Sequence, residues 1–296
     1  MSDLQWLSFN IYTKHGWATA DSLIVEIFQT IVTGRELHGW YFLRFHDHKG
    51  FHVRFRVQVP ASAAPTVTVD IQSQIDRLLS ADVQLPMTSY RPAVLLPKWA
   101  TLPEVVQNTV AADVHTVDLS LFGEAGAIVA DRLAQESSEI TVDSLLLEKR
   151  EGVSRKSLVP ILMDRVQRAF QPDECAATFW KDYCHYWLPR DSDLQLDWIE
   201  KFQSAAQRIA ASGGNLLGAL DHQSVGAIAE RWTSALHKVR TSLVQVSDGT
   251  LRRPEERAAY FVHMMNNRLG LNHLEEAYFA WLLRTLLIPD ATGRID

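Results

Sequence analysis

The sequence predicts an α+β fold, with an antiparallel sheet and flanking helices in the N-terminal half and a mainly helical C-terminal half. Three observations carry this prediction. Residues 40–46 (WYFLRFH) and 51–59 (FHVRFRVQV) are two β-rich arms around Asp47-His48-Lys49-Gly50, a hairpin signal in which the second arm alternates cleanly. Residues 6–12 (WLSFNIY) are aromatic and β-branched, which suits a further strand. From about Asp143 onward apolar residues recur at helical spacing.

Taken in order, the strand over 6–12 is followed by a helix opened by Asp21, with Leu23, Ile24, Ile27 and Ile31 on one face and Gly34 at its end. The hairpin comes next, and Pro60 ends it. On its second arm His52, Arg54 and Arg56 share one face, and Phe51, Val53, Phe55 and Val57 share the other. A second helix is expected over 70–79, a Pro-rich extended segment over 84–101, a further strand over 116–121 and a helix starting over 123–135. Strand, helix, strand, strand, helix suggests a sheet with its helices on one face. Later helices are expected over 158–170, 173–187, 198–211 and 223–246. The last pattern, 255–287, divides in two, because Gly270 is followed by Asn272-His273-Leu274-Glu275, a capping-box pattern. The expected organisation is a sheet-rich half, 1–142, and a helical half, 143–296, in one compact unit.

Composition narrows the function classes. The chain has 296 residues, 47% hydrophobic and 22% charged, enough apolar material for a full core. A net charge of −6, from 29 Lys+Arg and 35 Asp+Glu, gives no global basic field, so nucleic acid is not an expected partner. Two cysteines, Cys175 and Cys184, build neither a disulfide framework nor a zinc site, and no metal is expected. The first residues lack a basic n-region and an apolar h-region, and apolar runs are short. No secretion signal or membrane span is expected, and a cytoplasmic protein is. P-loop, GxGxxG, HExxH and GxSxG patterns are missing.

Two constellations carry chemistry. The first is Arg44, His52, Arg54 and Arg56 on the hairpin. Two arginines at i and i+2 of a strand project the same way, and their planar forks suit a carboxylate. The same pattern also describes a solvated outer sheet face. The second is Tyr260-Phe-Val-His263-Met-Met-Asn-Asn267-Arg268-Leu-Gly270. His263 and Asn267 are i and i+4 on a helix, with Tyr260 one turn earlier, a setting for an acid/base imidazole. A core histidine in a helix interface fits the same spacing.

Together these segments resemble a known family. Residues 40–56, WYFLRFHDHKGFHVRFR, are similar to the "FFIRY-D-...-HLRLRF" hairpin of the lantibiotic dehydratase C-terminal family, also called the thiopeptide-type bacteriocin biosynthesis domain. Residues 263–270, HMMNNRLG, resemble its second signature, "HMHCNRLLG", in the same order and at a similar separation. The resemblance spans nearly the whole chain and implies a cofactor-independent enzyme, of lyase or cyclase type, acting on a ribosomally made precursor peptide with a leader, alongside other maturation enzymes. One branch of the family eliminates glutamate from glutamylated Ser/Thr. Another, the pyridine synthases, joins two dehydroalanines by a formal aza-cycloaddition and expels water and leader.

By this resemblance Arg54 and Arg56 match glutamate-gripping arginines and His263 the acid/base. Tyr260 and Asn267 are expected to support His263, and His52, Arg44 and Arg268 to help bind substrate. The elimination branch's "PE-x-ERYGG" arginine has no counterpart: the nearest segment, residues 117–124 (VDLSLFGE), lacks one. A missing charge-assisted contact, worth about 1.5–3 kcal/mol, tilts the expectation towards a pyridine-forming macrocyclase over glutamate elimination. A non-catalytic scaffold that takes the leader by strand addition at the hairpin edge is the third reading.

Overall fold

The computed structural model describes residues 3–13, 15–47, 49–80, 109–113, 119–246 and 254–287. Strand β1 (Leu4–Tyr12) leads into α1 (Trp17–Ile27), which finishes in a wide π turn over Phe28–Val32. The hairpin is β2 (Gly39–Asp47) and β3 (Gly50–Pro60), followed by α2 (Ala64–Ser80) and β4 (Thr109–Asp113). The rest is helical: α3 (Leu119–Glu151), α4 (Arg155–Phe170), α5 (Ala176–Trp187), α6 (Ser192–Ala211), α7 (Gln223–Val246), α8 (Pro254–Leu269) and α9 (His273–Leu287). This is the α+β architecture that the sequence predicts.

All pairings in the sheet are antiparallel, in the order β2-β3-β1-β4. Register fixes its two faces. Opposite Phe55 lie Phe9 and Phe42, and opposite Val53 lies Ile11. These side chains pack with Leu23, Ile24, Ile27 and Ile31 of the first helix and Ile71 and Ile75 of α2. Opposite Arg56 lie Ser8 and Tyr41, and opposite Arg54 lie Asn10 and Leu43. That second face looks towards the helical half. A strand's two-residue period thus sends every arginine of β3 to one side and every phenylalanine and valine to the other.

A second core fills the helical half, with Trp180, Trp232, Phe122 and Phe261 among its large buried rings. Helix α3 serves both cores. Phe122 and Leu133 belong to the helical one, and Val142 and Leu145 pack under the sheet.

Some sequence expectations shift. The strand expected over 116–121 is not one where it is described: Leu119 to Leu121 begin α3, and 116–118 lie outside the described residues. The fourth strand is instead Thr109–Asp113, a short Ala-containing run with no clean alternation. Residues 84–101 also lie outside the described set. The first helix starts four residues before Asp21, so Asp21 is not its cap but a buried ion-pair partner. The split near Gly270 is confirmed. Gly270 takes φ 87°, a conformation that favours glycine, and Asn272 and Glu275 cap α9 reciprocally.

Candidate active site

Three arginines converge on a cavity of about 420 Å³ between the sheet's second face and helices α3, α7 and α8. Arg54 and Arg56 come from β3, and Arg268 from the last turn of α8. Tyr41, Leu43 and Phe45 of β2 floor it, and Asp131, Ser137, Trp232, Tyr260, Phe261 and Met264 are among the helical residues that wall it. A volume of this size, apolar walls and a few convergent polar groups are the usual form of a small-molecule or side-chain site. A larger groove of about 570 Å³ runs beside β1, but its lining includes no comparable cluster of charge.

Each guanidinium is held by its surroundings. Arg56 Nη1 donates to the Tyr41 hydroxyl at 2.8 Å. Tyr41 is the residue opposite Arg56 in the ladder, and burial raises its phenol well above the ordinary range, so it stays protonated. Arg54 Cζ lies 3.5 Å from the centroid of the Phe45 ring, and its Nε donates to His52 Nε2 at 3.2 Å. Arg268 is buried. Its Nε donates to Ser138 Oγ at 3.2 Å and its Nη1 to the Met264 carbonyl at 3.0 Å. Burial pulls its pKa down to about 10, with Arg56 pushing the same way, which leaves it charged at neutral pH. Ser138 is a node: its oxygen also accepts the Phe42 N–H at 3.2 Å and donates to the Ala134 carbonyl at 2.8 Å.

Of the residues singled out by sequence, Arg54, Arg56, Arg268 and Tyr260 line this cavity together. Arg44 does not. It lies opposite Val53, one position out of phase with the arginines of β3, and so emerges on the other face of the sheet. There its Nη2 donates to Asp21 Oδ1 at 2.6 Å and its Nε to the Arg268 carbonyl at 3.0 Å. Arg155 of α4 grips the second Asp21 oxygen at 2.5 Å and Glu148 of α3 at 2.8 Å. Burial alone would raise the Asp21 pKa, but the two arginines outweigh it and bring it to about 2.

Asn267 closes the outer edge of β2. Its Oδ1 accepts the Arg44 N–H at 2.9 Å, and its Nδ2 donates to the Arg44 carbonyl at 2.7 Å. With Ser138 on the Phe42 N–H, side chains here replace a neighbouring strand and blunt the edge. Asn267→Ala is therefore expected to lower stability by about 1–3 kcal/mol, because both backbone groups lose their partner. Chemical denaturation measures this as a lower midpoint with unchanged slope.

His263 belongs to a separate cluster on α8, facing α5 and α9. Its Nδ1 lies 3.0 Å from Glu276 Oε1, and Glu276 is fully buried, held also by the Tyr183 hydroxyl and by Asn266 Nδ2 at 3.4 Å. The carboxylate alongside raises the Tyr183 phenol further above the range that burial already gives it. Trp187 packs against two imidazoles, 4.6 Å from His263 and 4.2 Å from His273, which are themselves 6.0 Å apart. Burial lowers the His273 pKa. A buried carboxylate on Nδ1 fixes a histidine's tautomer and leaves Nε2 to exchange a proton.

The sequence reading missed Tyr41, Phe45 and Glu276. The first two were accessible in principle, since ladder register places them beside Arg56 and His52. Glu276 carried no signal, because only the packing of α9 on α5 and α8 brings it to His263. Among the described residues no group of His, Cys, Asp or Glu has an arrangement that would hold a metal, and no helix is long and apolar enough to cross a membrane.

The fold matches a tRNA-dependent lantibiotic dehydratase, MibB from Microbispora sp. 107891, with a TM-score of 0.61 and 16% identity, over 94% of this chain and 27% of that one. This chain thus corresponds to about a quarter of the dehydratase. It also matches TbtD, a pyridine synthase from thiomuracin biosynthesis, with a TM-score of 0.65 and 16% identity, over 95% of this chain and 96% of that one. TsrL matches with a TM-score of 0.58 and 13% identity, over 96% and 94% of the two chains. Curated protein sequences contain no match. Residues 6–287 match the model of the lantibiotic biosynthesis dehydratase C-terminal family, and the chain belongs to that family.

Proposed function

We propose that the chain matures a ribosomally made precursor peptide by eliminating glutamate from glutamylated Ser or Thr, leaving a dehydroamino acid. The observation that carries this reading is the convergence of Arg54, Arg56 and Arg268 on one cavity with aromatic and apolar walls. Desolvated guanidinium groups favour a carboxylate, and a glutamyl arm is short enough to be enclosed in about 420 Å³. Arg268 also weakens the tilt against elimination, since it supplies a third cation without the "PE-x-ERYGG" arginine.

The glutamyl arm divides the work between two places. Its carboxylate is assigned to the arginines, and the base for the esterified Ser or Thr to His263, which lies outside the cavity lining on the face of α8 towards α5 and α9. Glu276 holds Nδ1, so Nε2 takes the α-proton as the Cα=Cβ bond forms. The Cβ–O bond breaks and glutamate leaves as its carboxylate, while Tyr260 donates a hydrogen bond to the substrate at the cavity wall. This division predicts separable defects. His263→Ala is expected to bind a glutamylated peptide as wild type does but to lower turnover by about 10²–10⁴-fold. Equal loss of binding and turnover would remove the acid/base role.

A pyridine-forming cyclisation is the second reading. The aromatic walls and the end-to-end similarity to the fold of TbtD favour it. Mass spectrometry separates the two. Loss of glutamate from a glutamylated precursor supports elimination. Release of leader with a new pyridine-absorbing macrocycle, from a precursor already bearing dehydroalanines, supports cyclisation. If the precursor binds and neither product forms, the scaffold reading is favoured, and the capped β2 edge argues against leader addition at that strand.

A further inference from the structure

We propose that His52 is a positioning residue. In its neutral, Nδ1-protonated form it accepts the Arg54 Nε–H and so determines which edge of that guanidinium meets the substrate carboxylate. The inference rests on the reading that the cavity grips a carboxylate.

His52 cannot itself be a wall of the cavity in this arrangement. Its side chain is wholly buried, and it is not among the lining residues. The strand period puts it on the same face as Arg54, two residues away, so Arg54 can fold back along the strand to reach it. Two contacts fix the tautomer independently. Nδ1 lies 3.3 Å from the Gly50 carbonyl, which can only accept, so the ring hydrogen is at Nδ1. Nε2 lies 3.2 Å from Arg54 Nε, which can only donate, so Nε2 holds the lone pair.

The ring is held in place on both sides. Tyr12 of β1 lies 4.6 Å from it and Phe45 of β2 lies 5.5 Å from it, centroid to centroid. Phe45 also underlies the Arg54 guanidinium, so one aromatic residue supports both partners. With Nε on His52 and the guanidinium over Phe45, Arg54 lines the cavity, and its Nη1–Nη2 end is the edge proposed for the substrate carboxylate. That end can take a carboxylate through two parallel hydrogen bonds.

The same geometry makes the grip sensitive to acid. Among the described residues, the charged and titratable groups seen facing His52 are Arg54 on its own strand, Tyr12 from β1 and Asp47 from β2. Asp47 Oδ1 is 3.9 Å from Nδ1, and Asp47 Oδ2 accepts the Tyr12 hydroxyl at 2.8 Å. A second proton on the ring would turn Nε2 into a donor and set two like charges 3.2 Å apart. Arg54 would then swing off its acceptor, and the carboxylate grip would weaken as pH falls.

Two measurements on the full chain test this. Nitrogen-15 NMR of the histidine side chains, with His52 assigned through its substitution, reads the tautomer directly, and the Nδ1-protonated form is expected. Calorimetry with a glutamylated peptide then compares wild type, His52→Leu and His52→Gln across acidic to neutral pH. His52→Leu is expected to weaken binding about tenfold or more. His52→Gln offers an oxygen to the same N–H without a titrating group. It is expected to restore most of the affinity and to lack the acid-side weakening expected of wild type. An Nε2-protonated ring, or a folded His52→Leu protein that binds as tightly as wild type, would overturn the proposal. If His52→Leu does not fold, the Gln variant and the tautomer decide it. If wild type binds no glutamylated peptide, the carboxylate reading of the cavity fails, and the tautomer alone decides the link to Arg54.

Discussion

Replacing Arg54 and Arg56 together by lysine is expected to reduce turnover of a glutamylated precursor by at least about 10²-fold, with most of the loss in binding. Lysine keeps the charge but not the planar fork, so each substitution forfeits hydrogen bonds to a carboxylate worth about 1.5–3 kcal/mol. Two such losses correspond to roughly two to four powers of ten. The change should leave the fold intact, because Phe45 and Tyr41 still pack from β2 and the hydrophobic face of β3 is untouched. The check is the affinity of the double variant for the glutamylated peptide, measured beside its thermal unfolding. Unchanged affinity in a folded double variant would separate these arginines from the substrate.

The largest expected effect on stability lies on the other side of the sheet. Asp21 binds Arg44 and Arg155 at once, tying α1 to β2 and α4, while Arg44 and Arg155 reach the carbonyls of Arg268 and Leu269 at the end of α8. Asp21→Ala leaves two guanidinium groups without this carboxylate, Arg44 among them buried, and is expected to destabilise the protein by about 3–5 kcal/mol. The same residue sets an acid limit. Its pKa is depressed from 3.8 to about 2, so its contribution is fully present above pH 3.8 and is lost as pH falls towards 2. That contribution is of order 2 kcal/mol, and denaturant midpoints across this window should fall more steeply for wild type than for Asp21→Asn. Parallel curves would show that the ion pairs do not stabilise the fold. Because Arg268 sits at the tied end of α8, loss of Asp21 should also loosen the arginine cavity.

Much of this architecture was legible in the sequence for definite physical reasons. The hairpin declared itself through alternation and a Gly-containing turn, and alternation alone placed Arg54 and Arg56 on one face. The end of α8 was legible because Gly270 and the Asn272–Glu275 box have specific backbone chemistry. Arg44 illustrates what a linear reading loses. It is on the same hairpin as the other arginines, but its partner across the ladder is Val53, and register across a turn must be counted before faces can be compared. His263 and Asn267 illustrate a second limit. Spacing at i and i+4 does put them on neighbouring parts of α8, yet one meets Glu276 and the other clasps β2. Helical spacing specifies direction, not which neighbour waits there. The fourth strand was misplaced because Thr109–Asp113 is short, carries two alanines and no clean alternation, and is held by pairing with β1.

The three-arginine carboxylate site is tested most directly by a crystal structure of this chain with a precursor peptide whose glutamyl ester is replaced by a non-eliminable amide. The glutamyl carboxylate is expected between Arg54, Arg56 and Arg268, with the modified residue's α-carbon turned towards His263 Nε2. A glutamyl group bound away from the three arginines would contradict that placement.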